Sequence, residues 1–146
     1  MTLNGDVYSG VTPGVAAGAT FSLLGAVQLN ASEPPPFGTY PVHFDFLSSA
    51  SGTLQLGTAT ARQSFETNGV IANMNVSTTG TPTNVLDLAD TQPSSITSAM
   101  IANGNTIELF NGSTMIDHFA LASSVGTAAV HWAPDAGSGS NIFLSV

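Results

Sequence analysis

The sequence predicts an all-β fold, an antiparallel two-sheet sandwich in a single domain spanning residues 1–146. Three observations lead there. Turn signals rich in Gly, Pro and Asn recur about every 10–15 residues, a spacing that suits short strands joined by turns. The segments between them alternate apolar and polar residues with period two. No segment carries a strong helical period, and no unit of 20–50 residues repeats in the way a propeller or solenoid requires.

The elements follow in order. In residues 20–29, Phe21, Leu23, Gly25, Val27 and Leu29 share one face. The run Glu33-Pro34-Pro35-Pro36-Phe37-Gly38 is a loop, because three prolines cannot donate to a ladder. Residues 40–47 place Val42, Phe44 and Phe46 on one face, with His43 and Asp45 on the other. Leu54 and Leu56 pair in residues 53–57. Residues 70–76 set Val70, Ala72, Met74 and Val76 against Ile71, Asn73 and Asn75. Residues 94–102 allow either a short helix capped by Ser94 or Ser95, or a strand; their strand neighbours favour the strand. Residues 106–110 and 113–119 flank Asn111-Gly112, a hairpin signal because both residues tolerate positive φ. Residues 127–132 and 142–146 are the last strands.

Charge excludes several functions. Nine acids face one cation, Arg62, with no lysine, and the net charge is -8. Nucleic-acid binding needs several Lys or Arg to displace condensed counterions. A basic membrane-surface patch and a P-loop lysine are ruled out for the same reason. With no cysteine there is no disulfide, thiolate nucleophile or Cys-zinc site. The N-terminus lacks the basic and apolar regions of a secretory signal, and no apolar run approaches the roughly 20 residues of a membrane span. The expected location is the cytoplasm, or outside the cell by a route that needs no signal peptide. The sequons at Asn30, Asn75 and Asn111 are then expected to go unused.

Catalytic chemistry is hard to assemble. His43, His118 and His131 lie near Asp45, Asp117 and Asp135, but no G-x-S-x-G elbow supplies a nucleophile. The histidines lack the short spacing of a metal-binding pair. No cofactor is implied. The lone Trp132 suits either sheet packing or stacking on a sugar ring.

Four stretches carry a resemblance to a known family. They are FSLLGAVQLN (21–30) after a Gly-containing turn, VHFDFLSSASGTLQL (42–56), VIANMN (70–75) and NGNTIELFNGSTMIDHFAL (103–121). In order and spacing the chain resembles the single-domain galectins of mushrooms, which implies a jelly-roll sandwich and binding of β-galactosides. The galactoside signature is largely missing. Galectins carry H-x-N-x-R along one strand; the corresponding positions here are Gly57, Ala59 and Ala61, with Arg62 one residue beyond and so facing the other side of a regular strand. Asn73 matches the family's next-strand Asn, and Asn75 shares its face. The W-x-x-E-x-R segment falls on residues 81–89, where Asp87 is the only charge.

The resemblance therefore implies a non-catalytic lectin with altered or reduced galactoside specificity, with Arg62, Asn73, Asn75 and Asp87 as candidate sugar contacts. Its partners would be glycans or glycoconjugates. A structural or interaction domain without sugar binding is the alternative, and an enzyme comes third. Edge strands without lysine gatekeepers add an expectation of homodimers or higher homo-oligomers.

Overall fold

Up to residue 77, successive strands change sheet. The computed structural model describes residues 1–7, 12–28, 41–47 and 51–146. The first half carries β1 (Thr2–Leu3), β2 (Gly14–Val15), β3 (Thr20–Leu23), β4 (Val42–Phe46), β5 (Gly52–Leu56), the helix α1 (Ala59–Asn68), β6 (Gly69–Ala72), β7 (Val76–Ser77) and β8 (Asn84–Leu88). The second half carries β9 (Ser98–Ala102), β10 (Thr106–Asn111), β11 (Thr114–Leu121), β12 (Ala129–Pro134) and β13 (Ser140–Ser145). One sheet has the order β1-β3-β5-β8-β13-β12, with β7 also paired to β13; the other has the order β2-β4-β6-β11-β10-β9.

The expectation of antiparallel sheets is corrected: both sheets are mixed. The ladders β1–β3, β3–β5 and β5–β8 in one sheet, and β2–β4, β4–β6 and β6–β11 in the other, are parallel. The β9–β10–β11 and β8–β13–β12 ladders are antiparallel. Connectivity is the cause. A chain that crosses to the opposite sheet and returns lays its next strand in the same direction, whereas a hairpin reverses it. Period-two alternation is the same in both cases, so the sequence pattern cannot separate them.

The alternation does place the core. Val42, Phe44 and Phe46 are buried while His43 is exposed, and Leu54 and Leu56 are buried together. Phe21, Phe44, Phe65 and Phe119 form a row with ring centroids 6.1, 5.1 and 6.3 Å apart, which ties both sheets to α1. The strand expected over 70–76 stops at Ala72, because Asn73 adopts φ 56°, and Ile71 is its core residue. Residues 98–102 form a strand, after a 3-10 turn at Pro93–Ser95. The Asn111-Gly112 signal marks a hairpin in which Asn111 pairs with Thr114 and Gly112 has φ 60°.

The helix α1 is the second correction, since an extended segment was expected around Arg62. Thr58 caps it, accepting the Ala61 N–H at 3.1 Å on Oγ1. Ala61 and Phe65, four apart, give it one buried stripe. It ends where the Gly69 N–H reaches the Phe65 carbonyl; a Cβ at Gly69 would sit 2.7 Å from the Phe65 ring. The triple-proline loop, Leu29, Asn30 and Tyr40 lie outside the described residues. Among the described residues, no helix is long and apolar enough to cross a membrane.

Candidate functional site

Three neighbouring strands of one sheet, β4, β6 and β11, are parallel, so their C-terminal ends come together. Beyond those ends lies an open groove of about 590 Å³. Phe46, Ile71 and Leu121, the last or nearly last residues of the three strands, form its apolar floor. Asn73, Asn75 and Ser123 add amides and a hydroxyl, and among the described residues no charged side chain lines it. Leu47, 63% exposed, extends the apolar surface at the mouth.

Both asparagines are held. Asn73 donates through Nδ2 to Asp45 Oδ1 at 2.6 Å, and Asn75 donates through Nδ2 to Thr83 Oγ1 at 3.0 Å. The Asn75 backbone N–H also bonds Asn84 Oδ1 at 2.8 Å. A carboxamide has two N–H donors and a carbonyl oxygen, so each side chain has hydrogen-bonding capacity beyond these contacts.

Arg62 lies elsewhere. It projects from α1 into a second cleft of about 380 Å³, with Asp90, Gln92, Ser95 and Asp117. Its Nε bonds both oxygens of Asp90 at 3.0 and 3.1 Å, its Nη2 bonds Asp90 Oδ2 at 3.0 Å, and its Nη1 bonds Asp117 Oδ1. Burial works against the guanidinium charge, but the bonds and charges of Asp90 and Asp117 outweigh it and raise its pKa. Asp117 is buried, which pushes its carboxyl up to about 6; Arg62 pulls it down, while contact with Glu66 pushes it further up. Arg62 is thus committed to two carboxylates and does not share a groove with Asn73.

Asp87 is also outside the groove. It stands on the outer face of its sheet in a polar row, where Ser22 Oγ donates to Gln55 Oε1 and Gln55 Nε2 donates to Asp87 Oδ2, both at 2.7 Å. Of the four residues expected to touch a sugar, the structure brings together Asn73 and Asn75 and separates the other two.

None of the three histidines is bonded to the acid that lies near it in the sequence. Asp45 bonds Asn73, Asp117 bonds Arg62, and Asp135 accepts the Gly137 and Gly139 N–H groups. His131 stacks on Phe143 and shares a 2.7 Å bond with Ser145. Trp132 is half-buried and packs against the core. The groove's Phe46, Leu121 and Ser123 were not legible as site residues, because in the sequence they read only as strand and turn residues.

No family model, curated protein or solved structure matches this chain. The groove's geometry must therefore carry the functional reading.

Proposed function

We propose that this protein is a non-catalytic carbohydrate-binding domain whose glycan lies in the groove beyond β4, β6 and β11. The observation that carries this reading is the placement of Asn73 and Asn75 beside an uncharged groove with an apolar floor. Sugars present C–H faces and neutral hydroxyls, and such a surface offers apolar contact together with amide and hydroxyl hydrogen bonds. The reading does not lean on the galectin resemblance or on a galactoside: the Arg62 that such a site would use is taken by Asp90 and Asp117. A glycan array followed by titration of the best sugars tests it. Binding that Asn73→Gly and Ser123→Ala weaken would support it, and a folded sample that binds no glycan would refute it.

A second reading is an interaction domain, favoured by the edge strand β9. It carries no charge, and Met100 is 49% exposed on it. Pairing of β9 with its counterpart in a second copy would give a homodimer, which sedimentation at high concentration tests.

A further inference from the structure

We propose that Asp87 and Asp135 form a binding site for a hard divalent cation, best suited to Ca²⁺, beneath the turn between β12 and β13. Asp87 is only 7% exposed although it stands on the outer face of its sheet. Gln55 occupies one of its carboxyl oxygens, Oδ2. The other, Oδ1, is fully buried and meets no donor among the described residues. The Asp135 carboxyl is in hydrogen-bond contact with the Asp87 carboxyl, so one acid faces another.

Both carboxyls nonetheless accept hydrogen bonds from neutral donors. Gln55 Nε2 donates to Asp87, and the Gly137 and Gly139 N–H groups donate to Asp135 Oδ1 at 2.7 and 3.0 Å. Such donors favour the ionised carboxylate. Two facing carboxyls are balanced either by a shared proton or by a cation, and no lysine or arginine of this chain is at hand to supply the charge. Its only Lys or Arg is Arg62, which is bound to Asp90 and Asp117. His131, on the neighbouring β12, is bonded to Ser145.

Further oxygen is at hand. A Cβ on Gly139 would lie 2.4 Å from the Leu88 carbonyl oxygen and 2.6 Å from both Asp135 Oδ2 and the Ala89 Cα, so the chain packs closely there and brings the two oxygens to one glycine. The Leu88 oxygen accepts the Thr91 N–H at 3.1 Å and keeps a second lone pair. Asn141 is the register partner of Asp87 on β13 and brings a carboxamide to the same row. Carboxylate, carbonyl and amide oxygens completed by water make up a Ca²⁺ shell. The described residues hold no cluster of three or more acidic or imidazole ligands, so the affinity belongs at the weak end, with a Kd of about 0.1–1 mM.

The test is calorimetric titration of the chelator-treated full chain with CaCl₂ at pH 7.5, with thermal unfolding followed in parallel. One Ca²⁺ per chain and a rise in Tm are expected. Asp135→Asn keeps an acceptor for the Gly137 and Gly139 amides and should weaken binding about tenfold or more, as loss of a charged ligand does. Asp6→Asn, far along the sequence and paired with Gln28, should leave it unchanged. If Asp135→Asn fails to fold, Asp87→Asn, which retains an acceptor for Gln55, takes its place. No saturable Ca²⁺ binding, or equal binding by the variant, would overturn the proposal. So would a wild-type Tm that responds to pH but not to Ca²⁺, because a shared proton alone would then balance the pair.

Discussion

The guanidinium of Arg62 on α1 binds the carboxylate of Asp117 on β11, a side chain 2% exposed, and grips Asp90 with its other edge. The one α-helix among the described residues is thereby tied to the centre of a sheet through the only Lys or Arg in the chain. Glu66, one turn along α1 from Arg62, lies against the same carboxylate and accepts the His118 N–H at 3.1 Å.

Stability should fall as pH rises through about 6. Burial raises Asp117 in the folded state to about 6, above its ordinary value near 3.8. The folded protein therefore holds that proton more tightly than the unfolded chain. The resulting stabilisation is fully present below about pH 4 and is lost as pH passes 6. A shift of this size corresponds to at most roughly 3 kcal/mol. Asp87 is also raised, first by burial and then by Asp135, and contributes with the same sign. Unfolding midpoints from pH 4.5 to 8 should decline, and Asp117→Asn should flatten the decline. A midpoint that rises with pH would contradict this account.

Removing the cation should be costly, and more so at high pH. Arg62→Ala leaves Asp117 buried without its partner, a change that costs roughly 3–5 kcal/mol for a buried pair. Part of Arg62 reaches solvent, at 17% side-chain exposure, which places the expected cost at the lower end. At pH 5 Asp117 is able to take a proton instead, so the loss should shrink. Denaturant titrations at pH 5 and 7.5 measure the difference. Glycan binding by a folded Arg62→Gln variant should match that of the wild type, because Arg62 lies in the other cleft.

Phe65→Ala should cost roughly 3–5 kcal/mol. The ring is fully buried between Phe44 and Phe119, and it is the larger of the two buried residues on α1. At roughly 2–4 °C per kcal/mol, the midpoint should drop by about 6–20 °C. A fall of only a few degrees would show that α1 docks mainly through Arg62.

Asn73 separates binding from folding. Its φ of 56° suits Gly as well as Asn, while a Cβ without a compensating side-chain bond is disfavoured there by about 1–2 kcal/mol. Asn73→Gly should therefore keep stability within about 1 kcal/mol while weakening glycan binding, and Asn73→Ala should lose both. Equal stability of the two variants, measured by urea unfolding, would remove the backbone argument.

The all-β character and much of the core were legible in the chain. Alternation through residues 42–46 and 53–56, and the Asn111-Gly112 turn, are local properties that a strand expresses wherever it is placed. Strand direction was not local. Parallel and antiparallel partners look alike from within one strand, and only the crossover between sheets made most of these ladders parallel. The helix was nearly silent, because its buried stripe is Ala61 and Phe65 alone and much of its anchoring comes from Asp90 and Asp117, 28 and 55 residues away. The same distances redirected the site. The scarcity of cations marked Arg62 as decisive, but only the folded arrangement showed that Arg62 neutralises buried acid, that Asn73 and Asn75 share a groove, and that Asp87 and Asp135 meet with no side-chain cation to balance them.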